Sequence, residues 1–114
     1  MKNNTLDLVL KHKWYDMIDI GEKPEEYRDL TEHWVKRLLT LTEQGFKKLH
    51  YFGILEEREI IKFKDYTHVR FHRGYTSMTI TFEIERISIG KGNPEWGAPT
   101  DREVFIIKLG KRLL

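Results

Sequence analysis

The chain contains no cysteine, which excludes disulfides, thiolate catalysis and cysteine-ligated zinc. It has no apolar run approaching the ~18 residues that a membrane-spanning helix needs. The opening Met1-Lys2-Asn3-Asn4 lacks the apolar core of a signal peptide, so a cytoplasmic location is expected. Charge of one sign is also scarce. The net charge is only +2, so any nucleic-acid binding must use a local patch rather than a global positive field. No Gly-Lys-Ser/Thr occurs, and the glycines of the Gly90–Pro99 stretch lack the strand-to-helix setting of a phosphate-binding loop. No repeat, linker or low-complexity tract divides the chain. With 114 residues and 39% hydrophobic content, one domain with a modest core is expected.

The apolar pattern outlines the elements. Leu6, Leu8 and Leu10 alternate with Asp7, Val9 and Lys11 and predict a first strand. Trp14, Met17 and Ile18 recur at helical spacing and predict a helix over about 13–20, closed by Gly21. Asp29, Thr31 and Glu32 offer N-cap residues, with Asp29 and Glu32 at capping-box spacing. They precede Trp34, Val35, Leu38, Leu39 and Leu41, so a second helix is expected over 31–44 with Gly45 as its stop, and Trp34 is read as core. Residues 45–64 give weaker signals: a helical turn near 46–50 and a short strand near 58–63.

From Tyr66 the period becomes two. Val69 and Phe71 face one side and His68, Arg70 and His72 the other, before Arg73-Gly74-Tyr75 turns the chain. That basic face reads either as a nucleic-acid contact, with Arg70 on phosphate and Tyr75 stacking on a base, or as an ordinary solvated sheet face. No metal site is expected. His68 and His72 would lie about 13 Å apart along a strand, too far to share one zinc. Met78, Ile80, Phe82 and Ile84 predict another strand, and the phase slip to Ile87 and Ile89 predicts a bulge near Glu85-Arg86. Glu83 and Glu85 lie on its polar face, either one a formal candidate for a general base. Gly90 to Pro99 reads as a loop in which Trp96 is either a stacking lid or an anchor on the core. Glu103 to Leu109 reads as a strand buried on both faces. The fold class is therefore α+β: a small curled, mostly antiparallel sheet of about five strands with two or three packed helices.

The stretch with most chemical character is Gly21-Glu22-Lys23-Pro24-Glu25-Glu26-Tyr27-Arg28. If it runs extended from Glu25, Glu26 and Arg28 share a face and Tyr27 takes the other. Lys23 leaves the turn just ahead of them. One acid and two bases so placed suit phosphate and base edges, or acid–base work on a small polar substrate. A solvated turn with mutually paired charges is the plainer alternative. Lys11 and Lys13 flank the neighbouring junction; Lys11 is read as ordinary surface.

The skeleton G-x-K-x-x-E-x-R, carried here by Gly21, Lys23, Glu26 and Arg28 after a strand and a helix, resembles the ASCH family of the PUA-like superfamily. The resemblance continues more loosely through the strands around Phe71, Phe82 and Ile106 and the closing Leu109-Gly110; residues 40–64 do not fit the family pattern. It implies a single ASCH-like domain over 1–114, a curled PUA-like β-barrel, and a cleft beside it that holds the motif. The implied function is binding of RNA, a nucleotide or a modified nucleoside, with no cofactor. Lys23, Glu26 and Arg28 would contact the ligand, and Arg70, Tyr75 and Trp96 are further candidate binding residues. One branch of the family is an acetylated-cytidine hydrolase that uses a lysine and a threonine of the motif. Lys23 matches the lysine, but Glu26 stands at the threonine position, and a carboxylate cannot replace a hydroxyl nucleophile. On this enzyme reading Lys23 and Glu26 are catalytic, Glu26 as a base on water and Lys23 steadying an oxyanion. Ribonuclease activity and a protein-binding adaptor role are further alternatives.

Overall fold

A computed structural model describes residues 4–113. The chain divides into two compact units. One combines the chain up to Arg28 with the chain from Tyr66 onward; the other comprises Asp29–Asp65. No described helix is long and apolar enough to cross a membrane.

The first unit is a five-stranded curled sheet, a half-barrel, built from β1 (Thr5–Leu10), β2 (Glu25–Arg28), β5 (His68–Arg73), β6 (Thr79–Gly90) and β7 (Val104–Arg112). The order across the sheet is β1-β5-β6-β7-β2, so β1 and β2 are its two edges. β1 and β5 are parallel and all other neighbours antiparallel. Period-two alternation sets the register: Leu6 lies beside Val69 and Leu8 beside Phe71, then Phe71 beside Ile80 and Val69 beside Phe82. All six are buried, which is the hydrophobic reason that a one-residue slip is not tolerated. The expected irregularity of β6 is present, since its pairing with β7 shifts register on either side of Ile84. Such a shift adds local twist and helps the sheet curl.

β7 is covered on both faces, as its apolar composition requires. Phe105 and Ile107 are fully buried on one face. On the other, Val104 packs with Tyr27 and Ala98, against which Trp96 and Ile106 also lie. Helix α1 (His12–Asp19) follows β1 and buries Tyr15 and Ile18, three residues apart on one stripe. It stops where Gly21 adopts φ 84°, and the Glu22 and Lys23 amides then both donate to the Met17 carbonyl.

In the second unit the single helix expected over 31–44 is instead two. Helix α2 (Glu32–Leu38) gives way to strand β3 (Leu39–Leu41), and helix α3 follows at Glu43–Phe52. The break arises because Leu39 to Leu41 pair with β4 (Ile60–Phe63), a partner that local periodicity does not reveal. Thr31, not Asp29, caps α2, its hydroxyl accepting from the Trp34 amide at 3.4 Å. Thr42 caps α3 by accepting from the Gly45 amide at 3.0 Å. Gly45 is therefore no stop. It lies inside α3, where a Cβ would stand only 2.5 Å from the Cβ of Glu59. The helical turn expected at 46–50 belongs to this longer helix. The strand expected at 58–63 is a short 3-10 turn (Glu57–Glu59) followed by β4. Trp34 is only half-buried, while Val35 and Leu38 form the buried stripe of α2.

Candidate functional site

The turn after α1 releases the chain directly into β2, and β2 pairs with β7 so that Glu26 lies beside Ile107 and Arg28 beside Phe105. Those two partners are fully buried, so strand alternation turns Glu26 and Arg28 inward and sends Tyr27 to the opposite face. The charged motif is thus built into the sheet edge, not into a solvated turn. Lys23 is 1% exposed and Glu26 6%.

Burial of two opposite charges requires that each find partners. The Lys23 Nζ lies 3.2 Å from Glu26 Oε1 and donates to the carbonyl oxygen of Trp96. It also stands 4.6 Å from the ring centre of Tyr27 and 5.3 Å from that of Trp14, close enough for cation–π attraction. Burial lowers the Lys23 pKa, and the charge of Glu26 and its hydrogen bond oppose that shift. Glu26 is the hub. Its Oε1 also accepts the Tyr27 amide at 3.0 Å, and its Oε2 accepts from Arg28 Nη2 at 3.1 Å.

That same Nη2 of Arg28 donates to the carbonyl of Val9 at 3.2 Å. Val9 belongs to β1 and Arg28 to β2, the two edges that no backbone ladder joins. One guanidinium therefore bridges the open seam of the half-barrel. A cleft of about 290 Å³ opens at this seam, lined by Val9, Lys11, Trp14, Glu26, Arg28 and Trp96, among others.

The loop between β6 and β7 forms one wall. Asn93 caps a short 3-10 turn (Pro94–Trp96) by accepting from the Glu95 amide at 2.9 Å. The Tyr27 hydroxyl fastens the loop, accepting from the Asn93 amide at 3.0 Å while donating to Glu25 Oε1 at 2.6 Å. Burial first, and then the Glu25 hydrogen bond, raise the Tyr27 pKa well above the ordinary tyrosine value. Trp96 packs on the Tyr27–Val104 cluster, as an anchor would, and also lines the cleft. Gly97 brings the loop against Trp14, since a Cβ there would lie 3.0 Å from the indole.

Among the expected site residues, Glu26, Arg28 and Trp96 line the cleft together. Lys23 does not line it; its amine is held between the loop carbonyl and Glu26. Arg70 and Tyr75 lie elsewhere. Arg70 grips Asp7 through two bonds of 2.7 and 3.2 Å, and His72 contacts the same carboxylate at 2.8 Å. These contacts, Arg70 foremost, hold the Asp7 carboxyl below its ordinary pKa. Tyr75 stands 98% exposed on the turn between β5 and β6. Glu85 pairs with Lys108 at 2.9 Å, and neither Glu83 nor Glu85 lines the cleft. Sequence reasoning missed Trp14, a half-buried wall of the cleft, because it enters that reasoning only through its helical spacing. The available signal was its place between Lys13 and the motif; Lys13 Nζ lies 4.6 Å from the Trp14 ring centre. Lys11, read as ordinary surface, also borders the cleft.

Among the described residues no group of three or more histidine, aspartate or glutamate side chains is arranged to hold a metal ion. The arrangement is thus a small, aromatic-walled recess with a fixed carboxylate and guanidinium at its base. Compared with known proteins, the chain matches no family model, no curated protein and no solved structure.

Proposed function

We propose that the chain is a binding module for RNA or a nucleotide-type ligand and that the cleft takes one base. The observation that carries this reading is the pairing of aromatic walls, Trp14 and Trp96, with the Glu26–Arg28 pair in one recess of about 290 Å³. That volume sits at the low end of the ~300–1,000 Å³ typical of small-ligand pockets, a size that suits a single base or nucleoside. Aromatic faces offer stacking area to any base. Arg28 offers donors and Glu26 an acceptor for base edges, and both are held before the ligand arrives. The resemblance of Gly21, Lys23, Glu26 and Arg28 to the ASCH motif supports the same reading.

The second reading is a hydrolase acting on a modified nucleoside. It draws on the lysine whose pKa burial lowers, placed 3.2 Å from a carboxylate that faces the cleft. Glu26 would activate water, and Lys23, behind it, would be a positioning residue.

An amide-shift NMR titration with the four ribonucleosides and N4-acetylcytidine tests both. Binding predicts saturable shifts at Trp14, Tyr27, Arg28 and Gly97, nearly independent of salt, and at least tenfold weaker binding in Trp14→Leu. Hydrolysis predicts product in the acetylcytidine sample, lost in Glu26→Gln. Absence of shifts at these amides with all five compounds refutes the cleft reading.

A further inference from the structure

The cleft does not end at its aromatic walls. Its Leu10–Lys11 side continues onto the turn between β5 and β6, because the Gly74 amide donates to the Leu10 carbonyl at 2.8 Å. The contact is close: a Cβ on Gly74 would lie 2.9 Å from Nε2 of His12. The turn is fixed by its own bonds, the Thr76 amide and hydroxyl both donating to the Arg73 carbonyl at 3.2 and 2.6 Å. Tyr75 does not line the cleft, but it follows directly on the glycine bonded to the cleft residue Leu10 and stands on an ordered backbone with 98% of its surface in solvent. A tyrosine so exposed contributes almost nothing to the core.

Charge follows the same path. Three arginines of the neighbouring strands are neutralised locally: Arg70 by Asp7, Arg73 by Asp16 and Arg112 by Asp19. Lys11 and Lys13 flank His12 and form no ion pair among the described residues. Lys11 lines the cleft and the Lys13 ammonium lies over the Trp14 ring of its wall, so two ammonium groups without a carboxylate partner border the cleft. A free nucleoside would use neither the ammonium groups nor Tyr75. A chain of phosphodiester-linked nucleotides would use both.

Resting on the proposed base-binding role of the cleft, we infer that its occupant is one nucleotide of a single-stranded nucleic acid, whose adjoining phosphates cross Lys11 and Lys13 and whose neighbouring base stacks on Tyr75. The polymer, not the monomer, is then the ligand, and the track from cleft to turn sets its minimum length.

The test compares fluorescein-labelled random-sequence RNA and DNA hexamers with the four mononucleosides on the full chain. The wild type is expected to bind one of the hexamer pools at least tenfold more tightly than any mononucleoside. Tyr75→Ala should lower the hexamer-to-mononucleoside affinity ratio by about 5- to 150-fold, the range for loss of one stacked base. Lys11→Ala/Lys13→Ala should flatten the log–log salt slope of hexamer binding by about 1.4, at ~0.7 per phosphate on single strands. Equal affinity for hexamer and mononucleoside, or a ratio and slope that neither variant changes, overturns the extended track and leaves the cleft reading standing. Failure of hexamers and mononucleosides alike to bind overturns both. Preference between the RNA and DNA pools identifies which polymer supplies the shared phosphodiester chemistry.

Discussion

Replacing Glu26 by alanine removes the group on which the motif converges, and the cost can be worked out from its partners. Lys23, 1% exposed at its side chain, loses its carboxylate partner at 3.2 Å and keeps the Trp96 carbonyl and two aromatic faces. Breaking a buried pair from one side costs about 3–5 kcal/mol, because the remaining charge is left in low dielectric. The Tyr27 amide also loses its acceptor, which is worth about 1 kcal/mol. Arg28 is 19% exposed at its side chain and recovers water, so its loss is small. A total of about 4–6 kcal/mol at ~4 °C per kcal/mol predicts a melting temperature lower by about 16–24 °C.

The pH dependence has a definite sign. Lys23 has a folded-state pKa below its ordinary 10.5, so between those values the unfolded chain binds more protons and stability rises with pH. Removing Glu26 takes away the first of the opposing influences and deepens that shift. The difference between variant and wild type should therefore shrink as pH rises toward 10.5 and the buried amine sheds its proton. Differential scanning calorimetry of both proteins from neutral to alkaline pH measures this. A cycle with Lys23→Met isolates the pair, with an expected coupling of about 2–3 kcal/mol, the double variant being less damaged than the sum of the single ones. A Glu26→Ala protein within 1 kcal/mol of wild type, or strict additivity in the cycle, would refute the buried-hub argument.

Two further outcomes follow from the packing. Of the five tyrosines, Tyr15 and Tyr27 have pKa values raised, first of all by burial, so ultraviolet titration of the folded chain should show two late phenolates. Because their folded-state values exceed the unfolded 10.0, the stability they contribute is lost as pH climbs through and above that value. Tyr27→Phe should remove one late transition. In the other unit, Gly45→Ala forces a Cβ to within 2.5 Å of Glu59 Cβ and should destabilise by about 1–3 kcal/mol in urea unfolding, although alanine is the better helix former.

The strands were legible wherever one face is buried and the other wet. Leu6, Leu8 and Leu10 in β1 and Ile80 and Phe82 in β6 mark the inner face by alternation alone. The break at Leu39 was not legible, because Val35, Leu38, Leu39 and Leu41 keep a helical rhythm across it and the strand forms only through pairing with β4. Gly45 misled for a related reason: it is required by the approach of Glu59, not by a helix end. Within the motif, period two placed Glu26 and Arg28 on one face, as observed. Their burial was hidden, since the loop carbonyl that Lys23 contacts lies 73 residues further on. The separation of Arg70 from the cleft follows from its bidentate grip on Asp7, which depends on a parallel register between strands distant in sequence.

The seam bridged by Arg28 also has a meaning for chain entropy. β5, β6 and β7 follow one another and each pairs with its neighbour in the chain, but β1 reaches β5 only across a separation such as the 63 residues between Asp7 and Arg70. β2 closes a longer loop still onto β7. The two costliest loop closures of the sheet therefore end at the same place, its unjoined edges. Any ligand seated there bridges segments that the backbone brings together last and least locally, and its binding energy adds directly to the stability of the closed loops.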